Sequence, residues 1–104
     1  MNRRTLKFSR VPGQFAVCRL PGDASVPKWA WSGPFTSVTR TADELSIVCL
    51  AKNIPTTVDC PRQWMCLKLE GPFSFSEVGI LASFIDPLAK KEVPIFAVST
   101  YDTD

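Results

Sequence analysis

The sequence predicts an α+β domain: an antiparallel sheet with its helices on one face. Three observations lead there. Five short apolar stretches, at 14–20, 35–40, 45–50, 64–70 and 94–98, carry strand patterning between turns rich in proline and glycine. One longer stretch has helical spacing, with Leu81, Phe84, Ile85 and Leu88 on one face. The chain also echoes itself weakly. Shifted by sixty places, residues 37–44 lie over 97–104, with Thr39 over Ser99 and Glu44 over Asp104. A strand, crossover helix and strand that occur twice give two partial repeats, about 14–52 and 63–104, joined by a linker at 53–62 within a single domain spanning 1–104.

The elements follow in order. Leu6, Lys7 and Phe8 suit a short edge strand, ended by Pro12-Gly13, and residues 14–20 alternate as the next strand. Pro21, Gly22 and Asp23 are a turn signal. Ser25 suits the N-cap of a short helix running to Trp31, with Pro27 in its first turn, and Gly33-Pro34 stops it. Residues 35–40 and 45–50 pair as a hairpin across Thr41, Ala42, Asp43 and Glu44, with Asp43 and Glu44 at a solvated tip. Two prolines and little periodicity make 53–62 a surface loop. Residues 64–70 form a strand ended by Gly71-Pro72. Ser76 caps the longer helix, Lys90 and Lys91 favour its C-terminal dipole, and Pro87 kinks or splits it at Asp86. Pro94 opens a continuous apolar strand ending at Val98, as a central strand requires.

A chain of 104 residues fits one domain, and 45% hydrophobic with 21% charged residues fits a folded core rather than disorder. The net charge of +2 is too small to point to nucleic acid, and the basic cluster Arg3, Arg4, Lys7 and Arg10 lies at the N-terminus. No apolar run approaches the length of a membrane span, and Lys7, Ser9 and Arg10 interrupt any signal-peptide pattern, so a cytoplasmic protein without membrane contact is expected. There is no histidine. That removes Ser-His and Cys-His nucleophiles, the commonest general base and histidine-bearing zinc sites. The remaining carboxylates, lysines, thiols and single tyrosine form no catalytic pattern, so neither enzyme activity nor a cofactor is expected.

Cys18, Cys49, Cys60 and Cys66 contain no C-x-x-C pair. Cys18 and Cys49 each sit in an apolar strand pattern and read as reduced, buried small hydrophobes, whereas Cys60 lies in the proline-bearing loop and should react first. Irregular spacing disfavours a disulfide framework, and the lack of close pairs disfavours a four-cysteine zinc site. Trp29, Trp31 and Trp64 suit core or interface packing, with an aromatic ligand platform as the alternative.

The segments at 15–20 and 39–49, together with Gly79-Ile80-Leu81-Ala82 and the terminal Ser99-Thr100-Tyr101-Asp102-Thr103-Asp104, resemble the small ACT domain proteins, of the branch related to the CASTOR-type arginine sensors. The resemblance runs from Gln14 to Asp104. It implies a ferredoxin-like βαββαβ module, present as two partial copies, that binds an amino acid or other small effector between units and regulates rather than catalyses. It implies a homodimer or higher oligomer; members of that family continue past the Thr-Tyr-Asp-Thr-Asp motif with an apolar strand and a final helix, so the second repeat here is read as missing its last strand and helix. Glu92 stands near where relatives commonly have the glycine that ends the helix. Carried over by position, the pocket would use Ser74, Phe75, Ser76, Glu77, Gly79 and Ile80 in the turn, with Thr100, Tyr101 and Asp104 at the strand end.

The chemistry of such a pocket is coherent. Unpaired backbone N–H groups at the helix start suit a ligand carboxylate, and Glu77 with Asp104 suits an ammonium or a cationic side chain. Ser76 serves equally as a plain N-cap and Glu77 as a plain first-turn acid. The alternative function is a ligand-free assembly module pairing through strand edges, since the strand ending at Val98 would otherwise lack a neighbour.

Overall fold

The computed structural model describes residues 8–69, 86–92, 94 and 97–98. Two compact units divide the chain: Arg10–Cys66, and Met1–Ser9 together with Leu67–Asp104. Four strands, β1 (Phe8–Pro21), β2 (Ser37–Arg40), β3 (Glu44–Leu50) and β4 (Trp64–Leu69), form an open sheet in the order β2-β3-β1-β4. β1 runs antiparallel to β3, with Phe15 opposite Leu50 and Pro21 opposite Glu44. β2 runs antiparallel to β3, with Ser37 opposite Val48 and Arg40 opposite Leu45.

β3 lies between two neighbours and is apolar on both faces, which is why its sequence is nearly continuous in hydrophobic residues. Leu45, Ile47 and Cys49 join Ala16 and Cys18 of β1 in one buried cluster, closed over by Ala30 and Ile54. The opposite face packs Phe15, Val48 and Leu50, with the Phe35 ring tilted against Phe15 at a centroid distance of 6.3 Å. Each buried Leu or Ile contributes on the order of 1.5–3 kcal/mol by leaving water. The Arg10–Cys66 unit therefore has a core on each side of its sheet.

The hairpin forms as its sequence predicts. Thr41 Oγ1 accepts from the N–H groups of Asp43 and Glu44, at 3.2 and 3.1 Å, and the Thr41 N–H donates to the Glu44 carbonyl at 2.8 Å. The expected break at Pro12-Gly13 does not occur. β1 continues through both residues because Gly13 adopts a φ of 100°, and both lie before the stretch of β1 that pairs with β3.

The short helix expected from Ser25 is also shorter than its sequence suggests. Only Lys28–Trp31 is helical, as a 3-10 turn with Pro27 at the cap position and no side-chain cap. A residue preceding proline is pushed out of the helical region, so Val26 cannot extend the turn backwards to Ser25.

The 53–62 stretch is more than a surface loop. A 3-10 turn at Ala51–Asn53 leads into it, Ile54 is buried, and Val58 and Cys60 pack on the same core. The Arg62 guanidinium ties it down by donating to the carbonyls of Ala51, Ile54, Pro55 and Val58 at 3.1, 3.3, 2.8 and 2.7 Å.

In the second unit, residues 86–90 are helical, and Lys90 pairs with Asp86 at 3.2 Å. The N–H groups of Lys91 and Glu92 close back onto Leu88 and Ala89 at 3.1 and 3.0 Å, tightening the last turn. Glu92 then takes a φ of 59°, the left-handed conformation that usually falls to glycine at a helix end. Pro94, Ala97 and Val98 are not in a strand, and Ala97 is exposed. The rest of the expected 94–98 strand, Ile95 and Phe96, lies outside the described residues.

Candidate functional site

Ser74, Phe75, Ser76, Glu77, Gly79, Ile80, Thr100, Tyr101 and Asp104 lie outside the described residues, as do most of the predicted long helix and the terminal strand end. The described chemistry belongs to the Arg10–Cys66 unit, in three places.

The first is a groove of about 470 Å³ lined by Pro12, Gly13, Gln14, Pro34, Leu50, Ala51 and Lys52. Leu50 is its one buried lining residue, and Gln14 and Lys52 supply the polar rim. Pro12, Gly13, Gln14, Pro34 and Lys52 are exposed, so this is an open surface groove rather than an enclosed site. Sequence reasoning missed it because its walls are prolines and a glycine, which read only as turn signals. The positive φ of Gly13, which keeps β1 running past the groove, leaves no periodic trace.

The second place is a cluster of thiols on the larger core face. Cys18 Sγ donates to Cys60 Sγ at 3.3 Å, and Cys60 in turn points its thiol at the Val58 carbonyl at 3.9 Å. Burial pushes the Cys18 thiol up to about 12, helped by the hydrogen bond to Cys60 and by the charges that Cys60 and Cys49 would carry, and opposed by Arg62. Burial likewise raises Cys49, with Cys60 adding to the effect. Cys66 packs with the other cluster and is raised by burial alone. All four cysteines are free; Cys18 and Cys49 are buried and Cys60 is partly exposed, as their positions in strand and loop predicted. Among the described residues no three His, Cys, Asp or Glu side chains are arranged to hold a metal ion.

The third is the hairpin end. Asp43 is exposed, and Glu44 forms a solvent-facing ion pair with Arg19 at 3.4 Å, a contact worth at most about 1 kcal/mol. The tryptophans form no platform. Trp29 packs on the larger cluster, Trp64 on the smaller one, and Trp31 is 60% exposed.

Comparison with known proteins agrees with this architecture. An ACT domain model matches residues 59–104, and a model of an N-terminal domain matches residues 13–57. The fold is also that of protein Atu0741 from Agobacterium tumefaciens, known from an X-ray crystal structure. The two are 44% identical, with a TM-score of 0.88, over 96% of this chain and 75% of that one. No curated protein matches the chain. The C-terminal segment 59–104 is thus similar to an ACT domain, and the described unit is a small α+β structure with an open sheet. The chain belongs to the same family as Atu0741. The described residues contain no helix long and apolar enough to cross a membrane.

Proposed function

We propose that this protein is a non-catalytic regulatory module that binds a small molecule, with an amino acid as the ligand class. The observation that carries the reading is the ACT domain match at 59–104, the segment that holds the Ser74, Phe75, Ser76, Glu77, Gly79 and Ile80 turn and the Thr100, Tyr101 and Asp104 strand end. ACT domains are in general regulatory modules for small effectors, and the turn offers backbone N–H groups for a carboxylate while Glu77 and Asp104 offer a counter-charge for an ammonium. The adjoining matches at 13–57 and 59–104, to two different domain models, support a division of the chain within the 53–62 stretch.

The test is calorimetric titration and thermal shift of the purified protein with each of the twenty amino acids. A specific ligand at about 100 times its dissociation constant adds roughly 2.7 kcal/mol of apparent stability. Glu77→Gln should weaken a basic amino acid more than a neutral one. If no amino acid binds, the reading fails.

A second reading, assembly through strand edges into a homodimer or larger oligomer, has its own support. β2 is a four-residue edge strand of the open sheet, and Trp31 and Met65 are large exposed hydrophobics, 60% and 57% accessible. Sedimentation that shows only monomer at high micromolar concentration would count against it.

A further inference from the structure

We propose that Cys60 and Cys18 are a redox modification site: a low-molecular-weight disulfide such as glutathione disulfide converts them to an intramolecular disulfide that fastens the 53–62 loop to β1. The pairing is selected by geometry. The two sulfurs already touch at 3.3 Å, so about 1.3 Å of closure reaches a disulfide bond. Cys18–Cys49 and any pairing with Cys66 are disfavoured, and Cys49–Cys60, whose members share a cluster but make no sulfur–sulfur hydrogen bond, is the competitor the experiment must exclude. Cys18 stands opposite Ile47 and Cys49 opposite Ala16 in the β1–β3 register, which makes Cys18 and Cys49 diagonal neighbours. Diagonal positions across antiparallel strands are roughly 7–8 Å apart, beyond ordinary disulfide reach. Cys66 packs with the opposite cluster.

The division of labour follows from exposure. Cys60 is partly exposed in the loop and is the thiol an external reagent meets, while Cys18 is 1% exposed. The Cys60 thiolate attacks one sulfur of glutathione disulfide, forming a mixed disulfide and releasing glutathione thiolate, which takes up the proton Cys60 lost. Cys18 sulfur then attacks the Cys60 sulfur. The Cys60–glutathione bond breaks, the Cys18–Cys60 bond forms, and the second departing glutathione thiolate takes the Cys18 proton. Net, two protein thiols are oxidised and one glutathione disulfide is reduced to two glutathiones. Burial raises the Cys18 pKa, which protects its thiol from bulk reagent and also slows this second step; the step relies on the Cys60 sulfur already standing beside it at 3.3 Å. Arg62, the one group that favours the Cys18 thiolate, assists the same step. The bond spans 42 positions, and Cys60 follows the point where the N-terminal domain match ends and the ACT match begins.

The experiment equilibrates the full chain with glutathione/glutathione disulfide mixtures, quenches with acid, alkylates, and maps peptides by mass without reduction. The expected product is one linked Cys18–Cys60 peptide pair, with Cys49, the other buried thiol, alkylated only after denaturation. The oxidised chain should melt at least about 5 °C higher than the reduced one, and a reductant should reverse the shift. Cys18→Ala should instead accumulate glutathione on Cys60, and Cys60→Ala should take up no crosslink and show no redox-dependent shift in its melting temperature. A Cys49–Cys60 link, a stable mixed disulfide on Cys60 in the unaltered chain, or no oxidation at all overturns the proposal.

Discussion

Gly22 lies directly against the backbone of Ala42: a Cβ on Gly22 would stand 2.6 Å from the Ala42 carbonyl oxygen and 3.1 Å from the Glu44 nitrogen. The contact seats the end of β1 on the hairpin tip, just beyond the last register pair, Pro21 with Glu44. Arg40 reinforces it from β2. Its guanidinium donates to the Gly22 carbonyl and, at 2.7 Å, to the Ala24 carbonyl.

The obstacle to any side chain at position 22 is backbone rather than a movable side-chain tip, so the strand end or the hairpin must shift. Gly22→Ala is expected to cost about 1–3 kcal/mol, by the ordinary penalty for overpacking a tight contact. Urea denaturation measures it. A midpoint unchanged from the parent protein would mean that the two backbones do not approach as described.

Arg62 holds the connecting loop through four carbonyls, and those carbonyls lose a charged donor when it is removed. Arg62→Ala should destabilise the Arg10–Cys66 unit by about 2–3 kcal/mol, and amides from Ile54 to Val58 should exchange faster. Arg62→Lys should recover less than half of the loss, because an ammonium on a flexible stem cannot reproduce the planar fork. Equal stability of the Lys variant and the parent would show that charge alone matters there.

The Cys18 thiol makes a pH prediction with a definite sign. Its folded pKa, about 12, stands above the ordinary value of 9.0, so the native state keeps a proton that the unfolded chain releases. The stabilisation is complete below pH 9 and is lost as the pH rises towards 12, by at most about 1.4 kcal/mol per pH unit. Equilibrium unfolding of the reduced protein should therefore weaken above pH 9, and more steeply than that of Cys18→Ala. Parallel pH profiles for the two proteins would assign the loss to other groups.

The sheet was legible in the sequence because its strands alternate or run apolar between turn residues. The hairpin at 35–50 and the strand at 64–69 follow from that pattern directly. What was not legible depends on contacts distant in sequence. Gly13 reads as a strand stop and instead lets β1 continue, because positive φ leaves no mark in hydrophobic periodicity. Ser25 reads as a helix cap, but the proline two residues later excludes the turn it would have begun. The 53–62 stretch reads as solvent-facing, yet a single arginine eight positions from Ile54 folds it over the core. The burial of Cys18 was readable from its strand. Its contact with Cys60, 42 positions away, was not. The groove beside Leu50 was missed for a related reason, since glycine and proline walls look like any turn. The pocket at Ser74, Phe75, Ser76, Glu77, Gly79, Ile80, Thr100, Tyr101 and Asp104 rests on the family resemblance and the ACT match.

Glu92 supplies the last prediction. It ends the 86–90 helix with a φ of 59°, where a Cβ meets backbone crowding that glycine avoids, and its carboxylate sits at the negative end of the helix dipole. Both effects act against the residue present, and its exposure means that no packing compensates. Two substitutions separate them. Glu92→Gln removes only the charge and should stabilise by a few tenths of a kcal/mol, in line with about 0.3 kcal/mol for an exposed charge near a helix end. Glu92→Gly also removes the backbone strain and should gain roughly 0.5–1 kcal/mol in total, after allowing for the greater freedom of glycine in the unfolded chain. Thermal melts of the three proteins, with amide exchange at Lys91 and at position 92 as the local readout, test the order Gly above Gln above Glu. A glycine variant no more stable than the glutamine one would mean that the left-handed turn at position 92 carries no strain to relieve.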